Sequence, residues 1–225
     1  MEWQIRHPKA WLFDYGGTLD TGGTHWGHVL WQAWQQVGVP VSENQFREAY
    51  VYTERRLGAE PIIKPDYTFR QTLSEKLRLE LEYVGYSVYH APLLDMVYGQ
   101  TVRHTAHSRE VLRQLPQPKV LVSNFYGNLP TVLREFQLDT VFQQVVESAM
   151  AGFRKPDVRI FSLGIKALEL QPQDIAVVGD SIKNDMLPAR QLGCQTVWLR
   201  GQQWTDTPAD DTVADMIIND LYELI

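Results

Sequence analysis

Cysteine is almost missing from this chain: Cys194 is the single one among 225 residues, so no disulfide can form within it. The flanking Leu192-Gly193-Cys194-Gln195-Thr196 reads as the entry into a strand, where a packed thiol is expected rather than a reactive one. Basic charge is also short. The 21 Lys and Arg are outnumbered by 27 Asp and Glu, giving a formal net charge of −6, which argues against a nucleic-acid partner. No apolar run approaches the ~20 residues needed to span a bilayer. Met1-Glu2-Trp3-Gln4-Ile5-Arg6-His7-Pro8 lacks the basic start and apolar stretch of a secretory signal. These absences lead to the expectation of a soluble cytoplasmic chain with no membrane partner.

What is present is ordinary in bulk and informative in order. Hydrophobic residues at 44% and charged residues at 21% suit a globular protein, and the length allows a core domain plus a modest second one. From about Ser108 onward, apolar runs alternate with helical patterns. Helices are expected over 109–115, 129–136 and 160–168, and strands end near Val122, Glu147, Asp180, Leu199 and Ile218. Such alternation implies a parallel sheet covered on both faces.

The stretch from about Gly22 to Ala106 reads differently. Four helical patterns, 25–37, 43–57, 67–83 and 93–104, follow one another with no buried strand between them. Gly38, Gly58 and Gly85 stand where helices should stop, and Ser42-Glu43-Asn44-Gln45 resembles a capping box. The expected architecture is therefore a three-layer α/β Rossmann-like core, residues 1–21 and 107–225, with a helical insert at 22–106.

Four segments carry candidate chemistry. Trp11-Leu12-Phe13-Asp14-Tyr15-Gly16-Gly17-Thr18-Leu19 ends an apolar run in a carboxylate and a glycine turn. Val120-Leu121-Val122-Ser123-Asn124 ends a strand in a hydroxyl, and Arg154-Lys155-Pro156 sets a lysine before a helix that Pro156 can open. Ile175-Ala176-Val177-Val178-Gly179-Asp180 is a buried strand whose following turn adds Asp185. In this order they resemble the four motifs of the haloacid dehalogenase-like superfamily, over nearly the whole chain.

The resemblance implies a hydrolase, most readily a phosphatase acting on a small phosphorylated compound. It implies Asp14 as the nucleophile that forms an aspartyl-phosphate. Mg²⁺ would be held by Asp14, Asp180, Asp185 and the Gly16 backbone carbonyl. Ser123 and Asn124 would contact the phosphoryl group, and Lys155 would offset charge on nucleophile and phosphate, a point-charge role suited to lysine. The helical insert stands where the superfamily places a cap domain. Thr18 is expected to order the turn rather than touch substrate.

One position departs from the pattern. The phosphatases of this superfamily read Asp-x-Asp-Gly-Thr, and the second Asp is their general acid and base; here Gly16 takes that place. General acid–base help is worth ~10²–10⁴ in rate, most for poor leaving groups. Activated phosphates would need it least. Asp20, His25 and His28 could otherwise supply the proton. A phosphonatase-like reading, which needs a cap lysine, has only Lys64 and Lys76 to offer, both expected to be solvated. A non-catalytic relative that binds a phosphorylated ligand or partner is the further alternative. Trp26, Trp31 and Trp34 lie at helical spacing near those histidines and are expected to pack the insert rather than form a substrate platform.

Overall fold

The computed structural model of the chain describes residues 7–204 and 210–225. Its centre is a parallel sheet of six strands in the order β3-β2-β1-β4-β5-β6. The strands are β1 (Ala10–Phe13), β2 (Lys119–Ser123), β3 (Gln144–Glu147), β4 (Ile175–Gly179), β5 (Gln195–Leu199) and β6 (Met216–Ile218). β1, β2 and β4 are buried along their whole length, as a sheet covered on both faces requires. The two faces separate by alternation. Trp11, Phe13, Leu121 and Val178 join one apolar cluster, while Ala10, Leu12, Val120, Val122 and Val177 join the other.

Between β1 and β2 run four helices: α1 (Trp26–Val37), α2 (Glu43–Ala59), α3 (Phe69–Val84) and α4 (His90–Gln114). The expected capping box at Ser42 and Gln45 forms, and a second one, Thr68 with Gln71, opens α3. Gly58 does not end α2; the helix carries through it to Ala59. The helices expected at 93–104 and 109–115 are one continuous α4, so the join anticipated near residue 106 falls inside a helix. No Gly or Pro interrupts residues 100–114, which is why nothing stops it.

After β2 come α5 (Leu129–Glu135), the single turn α6 (Ser148–Ala151) that follows β3, and α7 (Val158–Leu168). Pro156 lies in the turn before α7 rather than opening it, because Asp157 takes the capping position and accepts from the Arg159 N–H. β4 leads into a π-helical turn at Ile182–Met186 that continues as α8 (Leu187–Gln191).

Strand order reverses beside β1, where β2 lies on one side and β4 on the other. Open α/β sheets collect ligands outside the carboxyl ends of the strands at such a switch point. Register fixes what meets there. Phe13 stands opposite Val178 on one side and Leu121 on the other, so Asp14, Ser123 and Asp180 emerge together at the same edge.

Candidate active site

Asp14 leaves the end of β1 with its N–H held by the Val178 carbonyl at 3.0 Å. Its carboxylate is almost wholly buried and fully engaged. Oδ1 accepts from Lys155 Nζ at 2.6 Å and from Ser123 Oγ at 3.3 Å. Thr18 Oγ1 lies 3.0 Å from Asp14 Oδ2 and 3.1 Å from Asp180 Oδ1, and also accepts the Asp180 N–H at 3.1 Å. Thr18 therefore does more than order its turn: its one hydroxyl proton is offered to two carboxylates.

Lys155 reaches a second acid, Asp185, at 2.6 Å. Asp185 sits in the π-helical turn, with its other oxygen accepting the Ser181 N–H at 3.1 Å. Two glycines make room for this crowding. A Cβ on Gly17, whose φ is +98°, would lie 2.5 Å from Asp180 Oδ1, and one on Gly179 would lie 2.5 Å from Asp185 Cγ. Asn124 clamps the lysine backbone, accepting the Lys155 N–H at 2.8 Å and donating to its carbonyl at 3.2 Å.

The electrostatics of this cluster are unbalanced. One oxygen from each of Asp14, Asp180 and Asp185 lies within 4.8 Å of the others, all three are buried, and one ammonium stands against them. Burial and the neighbouring Asp14 and Asp185 push the Asp180 carboxyl well above its usual range. Burial likewise raises Asp185 although Lys155 opposes it. For Lys155 burial works the other way, yet Asp14 and Asp185 outweigh it and keep the ammonium charged. Three buried oxygen donors with surplus negative charge fit a hard divalent cation. The Gly16 carbonyl accepts no hydrogen bond among the described residues, which leaves it free as a further donor.

Asp180 of this cluster lines a cavity of about 210 Å³ between the sheet edge and the helical insert, with Gly16 and Asn124 beside it on the sheet side. Gly16 leaves real space there, since the nearest atom to a Cβ on it is Trp26 Nε1 at 3.9 Å. Asp20 lines the same cavity; its oxygens accept from the Gly17 N–H at 2.7 Å and from Trp26 Nε1 at 3.0 Å, and burial pushes its carboxyl up to about 8. His25 lines it too, but as a helix cap. Its Nδ1 accepts the Gly27 N–H at 3.0 Å, and burial followed by Lys76 lowers its imidazole to about 4. His25 was one of three candidates for the proton donor, and its ring is uncharged at neutral pH. His28 does not line the cavity.

The expectation of a solvated Lys76 fails. It is buried on the inner face of α3, ion-paired to Glu54 of α2, with Nζ 4.5 Å from the centre of the Tyr50 ring. Lys64 is exposed as expected. The tryptophans divide: Trp34 is wholly buried and Trp31 packs on Phe46, whereas Trp26 faces the cavity. Glu54 and Tyr126 went unread in the sequence, and the Tyr126 hydroxyl donates to Glu54 at 3.1 Å. One signal was available. Lys76 lies three residues from Leu73 and Glu80 three from Leu77, so both charges ride the buried stripe of α3.

Comparison with known proteins bears on the family and the fold. Residues 8–193 match the haloacid dehalogenase-like hydrolase family, and the chain belongs to it. It is 27% identical over 226 residues to a phosphoglycolate phosphatase of Vibrio vulnificus, covering 96% of this chain and 94% of that protein. A glyceraldehyde 3-phosphate phosphatase of Pyrococcus furiosus is 30% identical over 90 residues, 40% of this chain and 38% of that protein's length. Among solved structures, a dehalogenase superposes with a TM-score of 0.64 at 19% identity, covering 98% of this chain and 96% of that one. A haloacid dehalogenase-type hydrolase of Bacillus subtilis bound to magnesium superposes with a TM-score of 0.58 at 16% identity, covering 97% of each chain. At these identities the structural likeness speaks for the fold.

Proposed function

We propose that the chain is a Mg²⁺-dependent phosphatase of small phosphorylated compounds, working through an aspartyl-phosphate on Asp14. The observation that carries this reading is the buried Asp14–Lys155–Asp185–Asp180 cluster, whose Asp180 lines the adjoining cavity. The phosphatase names of relatives matched over both full and partial length point the same way. Asp14, Asp180, Asp185 and the Gly16 carbonyl would hold Mg²⁺, which when bound offsets charge on the nucleophile and the phosphoryl oxygens. Residues 22–106 would act as the cap that covers the site.

In this reading a carboxylate oxygen of Asp14 forms a bond to phosphorus as the ester P–O bond breaks, and the leaving oxygen takes the electron pair. Lys155 holds Asp14 in place and offsets the charge gathered there. Ser123 and Asn124 orient the phosphoryl oxygens, from the end of β2 and the residue after it. Water then cleaves the acyl phosphate, releasing orthophosphate and restoring Asp14. Gly16 offers no proton to the leaving oxygen. Of the three residues considered for that task, Asp20 alone both faces the cavity and carries a proton near neutrality.

The phosphonatase-like alternative draws support from Lys76, which faces the cavity. Its chemistry counts against it: a Schiff base needs a neutral amine, and Glu54 keeps Lys76 charged by raising it well above its usual range against the opposing effect of burial. A binding role without turnover has no evident use for the buried lysine clamp on Asp14. Phosphate release from acetyl phosphate, with Mg²⁺ and with EDTA, tests the phosphatase reading. Metal-dependent turnover that is lost in Asp14→Asn is the expected result, and silence of the wild type would overturn it.

A further inference from the structure

The cavity wall formed by the helical insert and the loop after β2 is lined with aromatic rings. Trp26 and Phe69 meet with ring centres 5.8 Å apart, Phe125 and Tyr126 with centres 5.3 Å apart, and all four line the same space. Its size sets a limit. An engineered apolar cavity of about 150 Å³ admits benzene, so about 210 Å³ takes one substituted ring beside a phosphoryl group.

Polarity inside this space is also one-sided. Both Glu54 oxygens are occupied, by Lys76 and by the Tyr126 hydroxyl. Lys76 gives one of its three ammonium donors to Glu54 and finds no other acceptor among the described residues. Its charge rests on the faces of Tyr50 at 4.5 Å and Trp26 at 6.0 Å from the ring centres. Thr72, Asn124 and Asn184 add neutral polar groups to the same lining, so it is the aromatic faces and the unfilled Lys76 donors that favour a ring. A ring bearing one acceptor would meet free ammonium hydrogens. Because Glu54 already balances Lys76, a neutral acceptor fits better than an anionic one.

The glycine at position 16 fits the same class, since an aryl ester turns over whether or not Asp20 gives up its proton. A leaving group that needs no protonation is a phenolate rather than an alkoxide. We propose that this cavity takes the phosphate monoester of a single aromatic ring that carries a neutral hydrogen-bond acceptor, with the ring among Trp26, Phe69 and Tyr126 and the acceptor on Lys76. The proposal rests on the phosphatase reading. Phosphorus passes from the phenolic oxygen to Asp14, the phenolate leaves with the bonding pair and takes its proton from water, and a second water releases orthophosphate.

The test is a substrate panel: acetyl phosphate, glycerol phosphate, phenyl phosphate, p-acetylphenyl phosphate and p-trifluoromethylphenyl phosphate. The last two withdraw electrons similarly, but only the first of them offers a carbonyl. Wild-type kcat/KM should favour the aryl esters over glycerol phosphate by at least about 10². It should favour p-acetylphenyl over p-trifluoromethylphenyl by about tenfold, as one charge-assisted hydrogen bond allows. In Lys76→Met that second ratio should fall to near one. It compares two substrates within one protein, so a partly unstable variant does not distort it, and the wild-type ratio decides alone if the variant fails to fold. Turnover of acetyl phosphate with no preference for aryl over alkyl esters, or a ratio unchanged in Lys76→Met, would overturn the proposal. Failure on acetyl phosphate as well would overturn the phosphatase reading beneath it.

Discussion

Lys155 Nζ lies 2.6 Å from Asp14 Oδ1 and 2.6 Å from Asp185 Oδ1, one ammonium shared by two buried carboxylates that follow the adjacent strands β1 and β4. Removing one partner from a buried ion pair costs about 3–5 kcal/mol, because the other charge is left uncompensated. Lys155→Met should lose stability on this scale in EDTA. Mg²⁺ should restore more of it in the variant than in the wild type, since the cation would neutralise the same carboxylates. Urea unfolding with and without Mg²⁺ measures both. An equal gain in the two proteins would show that ammonium and cation act on different charges.

Asp14→Asn should remove phosphate release from acetyl phosphate by at least about 10³-fold, as loss of a nucleophile does. The variant keeps the acceptor oxygen facing Lys155 and relieves negative crowding at Asp180, so it should fold with wild-type cooperativity in thermal unfolding. Persistent turnover would mean that another group takes the phosphoryl.

Metal binding should be visible without any reaction. Raising Mg²⁺ to about 100 times its Kd should stabilise the wild type by ~2.7 kcal/mol. Asp180→Asn should move the midpoint of that titration to higher Mg²⁺ by at least tenfold. A midpoint unmoved by this change would take Asp180 out of the donor set.

Gly16→Asp restores the carboxylate in a position with room for it, because nothing lies closer than 3.9 Å to the new Cβ. Turnover of glycerol phosphate should rise by about 10², the lower range for general acid–base help, while aryl esters change little. No gain on the alkyl ester would indicate that Asp20 already serves as the acid.

Glu80 lies wholly buried on α3 with neither oxygen hydrogen-bonded, and burial pushes its carboxyl up to about 8. The folded state therefore binds a proton that the unfolded state releases near its ordinary value of 4.5. Stability from this group falls as pH climbs between those values and levels off above them, by at most ~1.4 kcal/mol per pH unit. Glu80→Gln should abolish that fall and be the more stable protein above about pH 8. Chemical unfolding of both proteins across the range measures the difference in slope.

Much of this site was legible before the structure because its residues sit where local patterns end. Asp14, Ser123 and Asp180 each close a short apolar run, and a parallel sheet brings such ends to one edge. Lys155 was marked by its proline, although Pro156 turned out to precede the helix cap. The burial of Lys76 was readable from the stripe of α3, but its pairing with Glu54 and Tyr126 was not, for a physical reason. Their pairing joins α2, α3 and the loop after β2, and nothing in any one segment records what the others place opposite it. The state of His25 was not legible on the same ground, since its shift comes from burial and from a lysine on another helix.

The unbroken course of α4 has a mechanical meaning. At 1.5 Å per residue its 25 residues form a rod of about 37 Å. One end packs among the helices over the cavity, and Ser108, further along, donates to the Leu19 carbonyl at 2.7 Å in the turn that carries Asp14. A strut of this kind has no joint at residue 106 about which a lid could swing. The same helix thus touches both the roof of the cavity and the turn that follows Asp14.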